Sequence, residues 1–285
     1  MIVDTSFPAD LSEIKDASIL ANELGFDGIF AAEVKSDPFV ASAVASQHAP
    51  GMDLGTKIAV AFARTPMTTA YAAHGLNELS GGRFHLGLGT QVRAHITRRF
   101  SMPWSQPTVR MREYVVAMKE IWESWRTNEP LAFKGEFYEH SLMTEYFVPE
   151  TRTQSAPPVW LASVGPRLTE VAAEVADGIV LHGFWTREYM DKVMMPAIDR
   201  GLEKGGRTRD DLAITGGGFL ITGATVYVTD DGLKIEAERH AANARIREIH
   251  GRVAYVRAHG APDQNKTPRS RAGSSVSASN PVSSF

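Results

Sequence analysis

A chain of 285 residues, 43% hydrophobic and 22% charged, has material for one large domain or two small ones, and no apolar run in it approaches the ~20 residues of a membrane-spanning helix. Its formal charge of −3 gives no basic field for nucleic acid or an anionic membrane, and without cysteine it forms no disulfide, thiolate nucleophile or Cys-type zinc site. No secretory pattern opens the sequence, which predicts a cytoplasmic protein.

Residues 2–6 (IVDTS) read as a short strand, and residues 8–25 as a helix with Leu11, Ile14, Ala17, Ile19 and Leu20 near helical spacing, closing on Gly25. The βα pattern recurs in DGIFAAE with a helix from Pro38, in GTKIAVAFA with a helix from Pro66, and in RFHLGLGT with a long helix at about 107–126. It continues with PVWLAS and a helix from Pro166, DGIVLHG and a helix from about Thr186, and the strand LAITGGGFLIT. Seven apolar strands alternating with amphipathic helices predict a parallel sheet covered on both faces. On the long helix, Met111, Val115, Met118, Ile121, Trp122 and Trp125 fall on one stripe, which reads as core packing.

An open doubly wound sheet and a closed barrel both satisfy this alternation. The first βα turn, Thr5-Ser6-Phe7-Pro8, lacks a glycine fingerprint, and after Gly87-Leu88-Gly89 the third glycine of a dinucleotide fold is replaced by Val92. The reading is therefore a (β/α)8 TIM barrel. Its eighth strand is weak. Residues 251–259 (GRVAYVRAH) could serve, but they abut a stretch, Gln264 to Phe285, with seven serines, three basic residues and no acid. The expected organisation is a barrel over 1–260 with incomplete or atypical C-terminal closure and a disordered serine-rich tail over 261–285. A shifted reading frame or truncation near 245–260 would produce such an ending and leave one wall of the barrel open.

In such a barrel, side chains alternate between interior and helix layer, and chemistry gathers at the C-terminal ends of the strands. In RFHLGLGT, Phe84, Leu86 and Leu88 share one face while His85, Gly87 and Gly89 share the other, a bare shelf that would either seat a planar ring or relieve barrel curvature. Gly81-Gly82 fall at the remote turn. Ser163, Val164 and Gly165 precede a helix with Pro166 in its first turn, suited to a phosphate on backbone N–H groups or to an ordinary βα loop. Glu33 ends the second strand beside Asp37-Pro38, which reads as a helix cap. His95 and His182 end the fourth and sixth strand regions and are candidate proton carriers. Nine scattered histidines without H-E-x-x-H predict no metal site, and the absence of G-x-S-x-G argues against a hydrolase.

Taken together, GFDGIFAAEVKSDPF, LGTKIAVAFARTPMTTAYAAHGLNELSGGRFHLGLGTQ, RMREYVVAMKEIW, FKGEFYEH and PPVWLASVGPRLTEVAAEVADGIVLHGF resemble the luciferase-like monooxygenase superfamily over roughly residues 1–250. Within it, the chain resembles the oxidoreductases that use coenzyme F420, a deazaflavin, more than the FMN-using luciferases. The resemblance implies an isoalloxazine-type ring at the C-terminal mouth, exchanging a hydride at C5 of a deazaflavin or N5 of a flavin. It implies cofactor contacts at Glu33, at Ala59, Ala61 and Phe62 on the third strand, at Gly89, Thr90 and His95 on and after the fourth, and at Ala162, Ser163, Val164 and Gly165 after the fifth. It also implies a non-prolyl cis peptide within 58–62. The sequence departs from the family twice here: Val34 stands where sugar-phosphate and alcohol dehydrogenases of the family carry a proton-accepting histidine, and Phe184 where a lysine follows the sixth strand. The proton carrier then falls to His95, His182 or Glu33.

The expected activity is F420-dependent hydride transfer to or from a small, apolar organic substrate, with Phe62, Trp104, Phe184 and Trp185 around the mouth. The family implies a homodimer, and neither nucleic acid nor a membrane is an expected partner. One alternative is an FMNH2-dependent monooxygenase that uses O2 and is fed by a separate flavin reductase. Another, of a different class, is a non-catalytic cofactor-binding or dimer-forming scaffold whose altered C-terminus has removed catalysis.

Overall fold

Glycine and proline punctuation sets most element boundaries in the computed structural model, which describes residues 2–217, 227–230, 233–236 and 255–258. The expected tail and the end of LAITGGGFLIT lie outside the described residues. In chain order the elements are β1 (Ile2–Ser6), α1 (Ile14–Glu23), β2 (Gly28–Ala31), α2 (Pro38–Ser46), β3 (Asp53–Thr56), β4 (Ala59–Val60), α3 (Pro66–Ser80), β5 (Phe84–Gly89), α4 (Arg93–Arg98) and α5 (Pro107–Thr127). There follow β6 (Phe133–Lys134), β7 (Glu139–His140), β8 (Val159–Ser163), α6 (Pro166–Val175), β9 (Gly178–Leu181), α7 (Arg187–Tyr189), α8 (Met195–Gly205), β10 (Ala213–Gly217), β11 (Tyr227–Asp230), β12 (Leu233–Glu236) and β13 (Tyr255–Ala258).

Four helices, α2, α3, α5 and α6, begin with proline, where a missing N–H costs nothing. Asp37 caps α2, its Oδ1 accepting from Phe39 N at 2.8 Å, as the sequence predicts. Gly81, at φ 66°, ends α3 in the left-handed conformation, so the remote Gly81-Gly82 turn is structural. The first helix is shorter than expected. A 3₁₀ turn, Leu11–Glu13, precedes it, and its three-residue period throws Leu11 out of phase with the later turns. Leu11 is consequently exposed; within α1 the buried stripe is Ile14, Ala17, Ser18 and Ala21, and Ile19 falls outside it and is exposed as well. Between α7 and α8 the backbone forms a π turn, Met190–Met194, next to Pro196, which cannot donate a helical hydrogen bond. No helix among the described residues is long and apolar enough to cross a membrane.

The principal sheet runs β3-β2-β1-β13-β10-β9-β8-β5-β4, and a further β3–β5 pairing (Leu54↔Phe84, Gly55↔His85) closes it on itself. Seven staves are parallel. The eighth place is taken by β13, antiparallel to β1 (Asp4↔Tyr255) and to β10 (Gly216↔Val256). The weak GRVAYVRAH segment therefore supplies the closing strand, but in the opposite direction to a regular (β/α)8 barrel: the closure is atypical.

The strand expected over GTKIAVAFA is broken. A cis peptide links Lys57 to Ile58, one position before the expected window, and β4 resumes the pairing against β5 (Ala59↔Leu88).

Alternation along the staves separates two cores. Outward-facing Ile29, Leu54, Phe84, Leu86, Leu88, Leu161 and Ile179 pack with the helices, including the predicted α5 stripe, whereas Phe30, Trp160, Val180 and Ala213 meet inside the barrel. Also inside is an ion pair, Lys57 Nζ to Asp4 Oδ2 at 2.7 Å, with the ammonium 3.9 Å from the Phe30 ring centroid.

Between α5 and β8 the chain makes a long excursion, residues 128–158, whose regular structure is the β6–β7 hairpin and a 3₁₀ turn. Glu113 on α5 accepts from the amides of Glu136, Phe137 and Tyr138 at 2.6–2.8 Å. From α3, Tyr71 donates to the Phe147 carbonyl, His74 to that of Thr151 and Asn77 to that of Ser155, while Glu78 accepts from Gln154 N.

Candidate active site at the barrel mouth

The C-terminal ends of β2, β3, β5, β8 and β9 bring the predicted residues to one end of the barrel. From β2 to β9 is four staves of eight, so Glu33 and His182 stand across the mouth from each other, with the β5 segment leading to His95 midway between them.

Glu33 is an anchor. Its Oε2 accepts from Val60 N and from Arg64 Nη1, each at 2.7 Å, and Arg64 Nη2 reaches Asp37 Oδ2 at 2.7 Å. Burial opposes charge on Arg64, but hydrogen bonds and charge from Glu33 and Asp37 prevail and hold its pKa above the usual value. The network fixes the turn after β2 to the segment after β4. A second tie, Arg99 Nη2 to the Val34 carbonyl at 3.0 Å, joins the end of α4 to the same turn. His95 is exposed on α4, and Thr90 is half-buried, its hydroxyl donating to the Gln91 carbonyl at 3.1 Å.

The glycine shelf is filled by the protein. A Cβ on Gly87 would collide with the Thr56 carbonyl, and one on Gly89 would lie 2.8 Å from Ile58 Cδ1. Close packing of β3 against β5 therefore accounts for Gly87, and Gly89, itself buried, makes room for Ile58. Ala59, Ala61 and Phe62, expected to touch a cofactor, are wholly buried in the layer beneath the helices, because this apolar run packs outward. Ile58, half-buried at the break, takes the surface position that the family resemblance implied for them.

The β8 turn is likewise only partly available. Ser163 is buried, its Oγ accepting from Thr169 Oγ1 on α6 at 3.1 Å, so the hydroxyl faces the helix layer. The Val164 carbonyl accepts from Tyr189 Oη at 2.7 Å. Ala162 is half-buried beside the interior cluster. Gly165 caps α6 with no side-chain bond and nothing within 4 Å of its Cβ position. Since Pro166 has no N–H, the donors of that first turn are Arg167 and Leu168.

Beside this turn lies a recess of about 310 Å³ walled by Val164, Leu181, His182, Phe184, Trp185 and Met194, with no charged side chain among its lining. His182 Nδ1 accepts from Phe184 N at 3.3 Å, and the two rings stack with centroids 5.2 Å apart. While Nδ1 accepts this bond, a neutral ring carries its hydrogen on Nε2. Phe62 and Trp104 meet edge to face at 5.9 Å on the α5 side, away from this recess.

A family model for luciferase-like monooxygenases matches residues 3–274. The chain belongs to the luciferase-like monooxygenase family. An uncharacterized protein of Mycobacterium tuberculosis is 44% identical over 222 residues, 78% of this luciferase-like chain and 65% of the relative. An F420-dependent glucose-6-phosphate dehydrogenase of Intrasporangium calvum is 30% identical over 216 residues, 70% of this chain and 62% of the relative. The chain thus spans less than two thirds of the length of these curated relatives. Among solved structures, an F420-dependent secondary alcohol dehydrogenase in complex with an F420-acetone adduct superposes with a TM-score of 0.62 at 17% identity, covering 74% of this chain and 66% of the other. The FMN-bound oxygenating constituent of 3,6-diketocamphane monooxygenase from Pseudomonas putida gives 0.56 at 15% identity, covering 72% and 61%. At these identities the likeness is one of fold.

Sequence reasoning missed Arg64 and Ile58. The signal for Arg64 was a cation closing one apolar strand next to an acid closing its neighbour. Ile58 had none, because its residue type does not differ from the run around it.

Proposed function

We propose that the chain is an F420-dependent oxidoreductase that exchanges a hydride between the deazaflavin and a small, largely apolar organic substrate. The observation that carries this reading is that an open helix N-terminus and an uncharged aromatic recess share one edge of the mouth. Arg167 and Leu168 offer backbone N–H groups, favoured by the helix dipole, to a phosphate. Phe184 and Trp185 offer apolar surface to a substrate and exclude water from it. The names of the 30%-identical relatives support F420 over FMN.

When bound, the deazaflavin supplies a carbon that gives or accepts the hydride. Ile58, between β3 and β4 and against Gly89 of β5, gives a ring an apolar prop. Glu33, committed to Arg64 and Val60, keeps the turns beside that prop in place. His182, at the wall of the recess, gives the substrate a proton from its imidazolium form as the hydride arrives, or takes one at Nε2 as the neutral ring when the hydride leaves, the Phe184 N contact opening whenever Nδ1 carries a hydrogen; His95 on exposed α4 would share this role only by swinging inward. The same reading makes the protein a cytoplasmic homodimer acting on a small molecule, with residues 1–260 as the catalytic barrel.

Titration of the purified chain with F420 and with FMN tests the cofactor. Saturable F420 binding is expected. FMN binding without F420 binding overturns the reading in favour of the FMNH2-dependent monooxygenase, which would consume O2 when a separate reductase supplies reduced flavin. Binding of neither leaves the scaffold. In the active protein, His182→Gln should lower kcat about a hundredfold and leave F420 affinity unchanged.

A further inference from the structure

Three oxygens of the turn after β8 are held by the helices that follow it. Ser163 Oγ accepts from Thr169 Oγ1 at 3.1 Å, the Val164 carbonyl from Tyr189 Oη at 2.7 Å, and the Gly165 carbonyl from Thr169 N at 3.1 Å. The donors of the same turn are left open. Among the described residues the amide N–H groups of Gly165, Arg167 and Leu168 have no acceptor, and Pro166 has no N–H.

Gly165 carries a second and independent signal. Its φ of −98° and ψ of 156° suit any residue, and no atom lies within 4 Å of the place its Cβ would take. Gly87 and Gly178 differ, because there the Thr56 carbonyl and the Trp160 ring occupy that space. Neither conformation nor packing within the chain calls for glycine at 165. Close approach of a ligand to bare backbone does.

We propose, on the reading of this turn as the cofactor's phosphate site, that Tyr189 is a positioning residue: its hydroxyl sets the direction of the 164–165 peptide and with it the affinity for the phosphate. In a trans peptide the C=O and N–H point opposite ways. A Val164 carbonyl held toward α7 therefore directs the Gly165 N–H away from α7, as a third donor beside those of Arg167 and Leu168. Turning this peptide over would take φ of Gly165 from −98° to about +82°, which glycine accepts and other residues resist. The turned peptide replaces a donor by a carbonyl oxygen, which repels a phosphate. The Tyr189 hydroxyl selects against it.

Tyr189 is itself fixed. Thr186 caps α7 by accepting from Tyr189 N at 3.1 Å, and the Tyr189 ring lines the recess that holds His182. One side chain thus joins the wall of the recess to the backbone of the phosphate turn.

Two pairs of ligands test the proposal by fluorescence titration: F420 with 8-hydroxy-5-deazariboflavin, which lacks the phosphate and the groups beyond it, and FMN with riboflavin. Tyr189→Phe keeps the ring in the recess wall and removes the hydroxyl alone. It should weaken the phosphorylated member of the pair that binds about tenfold and leave the phosphate-free member unchanged. Gly165→Ala should discriminate in the same way while the melting temperature holds or rises, since its φ is allowed. Equal weakening of both members by Tyr189→Phe would reveal a role in the recess wall alone, and unchanged affinity for both would show that the peptide needs no anchor. Either result overturns the role of Tyr189 and leaves the cofactor reading standing, whereas binding of neither pair by the unaltered protein overturns both.

Discussion

The barrel interior and the helix surface each hold an ion pair of similar length. Lys57 meets Asp4 at 2.7 Å with both side chains at most 1% exposed, whereas Lys204 meets Glu170 at 2.8 Å between α8 and α6 with its own side chain 58% exposed. Geometry alone would rank them equal, but their surroundings do not. Inside, both charges have left water, and the Phe30 and Trp160 rings lie beside the ammonium. Outside, water and salt already screen each charge. The staves show how one chain maintains both conditions: alternate residues face either a small interior that tolerates charge only when it is matched or a broad apolar layer under the helices.

Removing one partner from the interior pair should have the largest effect. Lys57→Met leaves a buried carboxylate and should cost about 3–5 kcal/mol by urea denaturation, much of it regained by adding Asp4→Leu. A cost no greater than that of a surface variant would show that water reaches the barrel interior. Next comes the apolar layer, where Leu88→Ala should cost about 3 kcal/mol through the cavity it leaves, without altering the charge pair. Smallest is Glu170→Gln, which should move the melting temperature by no more than about 2 °C at neutral pH. Hydrogen bonds from Lys204 and Arg200 hold the Glu170 carboxyl below its usual pKa of 4.5. Its contribution is therefore full above that value and lost as pH falls through the lowered one, so melting curves of the Gln variant should depend less on pH below about 5.

Most of the barrel was legible because its punctuation is local. Proline opens four helices at the predicted positions, and β1, β5 and β8 follow from short apolar runs bounded by glycine, proline or acid. Pairing direction depends on partners far away in sequence, so the direction of β13 was not legible. The site was harder for a related reason. Glu33, His182 and the α6 N-terminus reached the mouth because strand ends are readable, but Ala59, Ala61 and Phe62 belong to a run apolar on both faces, where alternation gives no signal and a backbone break decides which residue surfaces. Lys57 within GTKIAVAFA and Asp4 within IVDTS were two such signals left unread, each a single charge in an apolar strand, and the two meet inside the barrel.

The stitched excursion over residues 128–158 bears on how the sequence can vary. Tyr71, His74, Asn77, Glu78 and Glu113 grip it largely through its carbonyls and amides, groups that nearly every amino acid supplies. At these positions the helices hold the specification and the excursion answers with backbone, whereas at Arg152, which donates to the Trp125 carbonyl, and at Tyr138, which accepts from Arg110, its own side chains matter. In a library of variants, gripped positions such as Glu136 and Thr151 should accept wide substitution, proline at the donating amides excepted, while the five gripping side chains should tolerate few replacements.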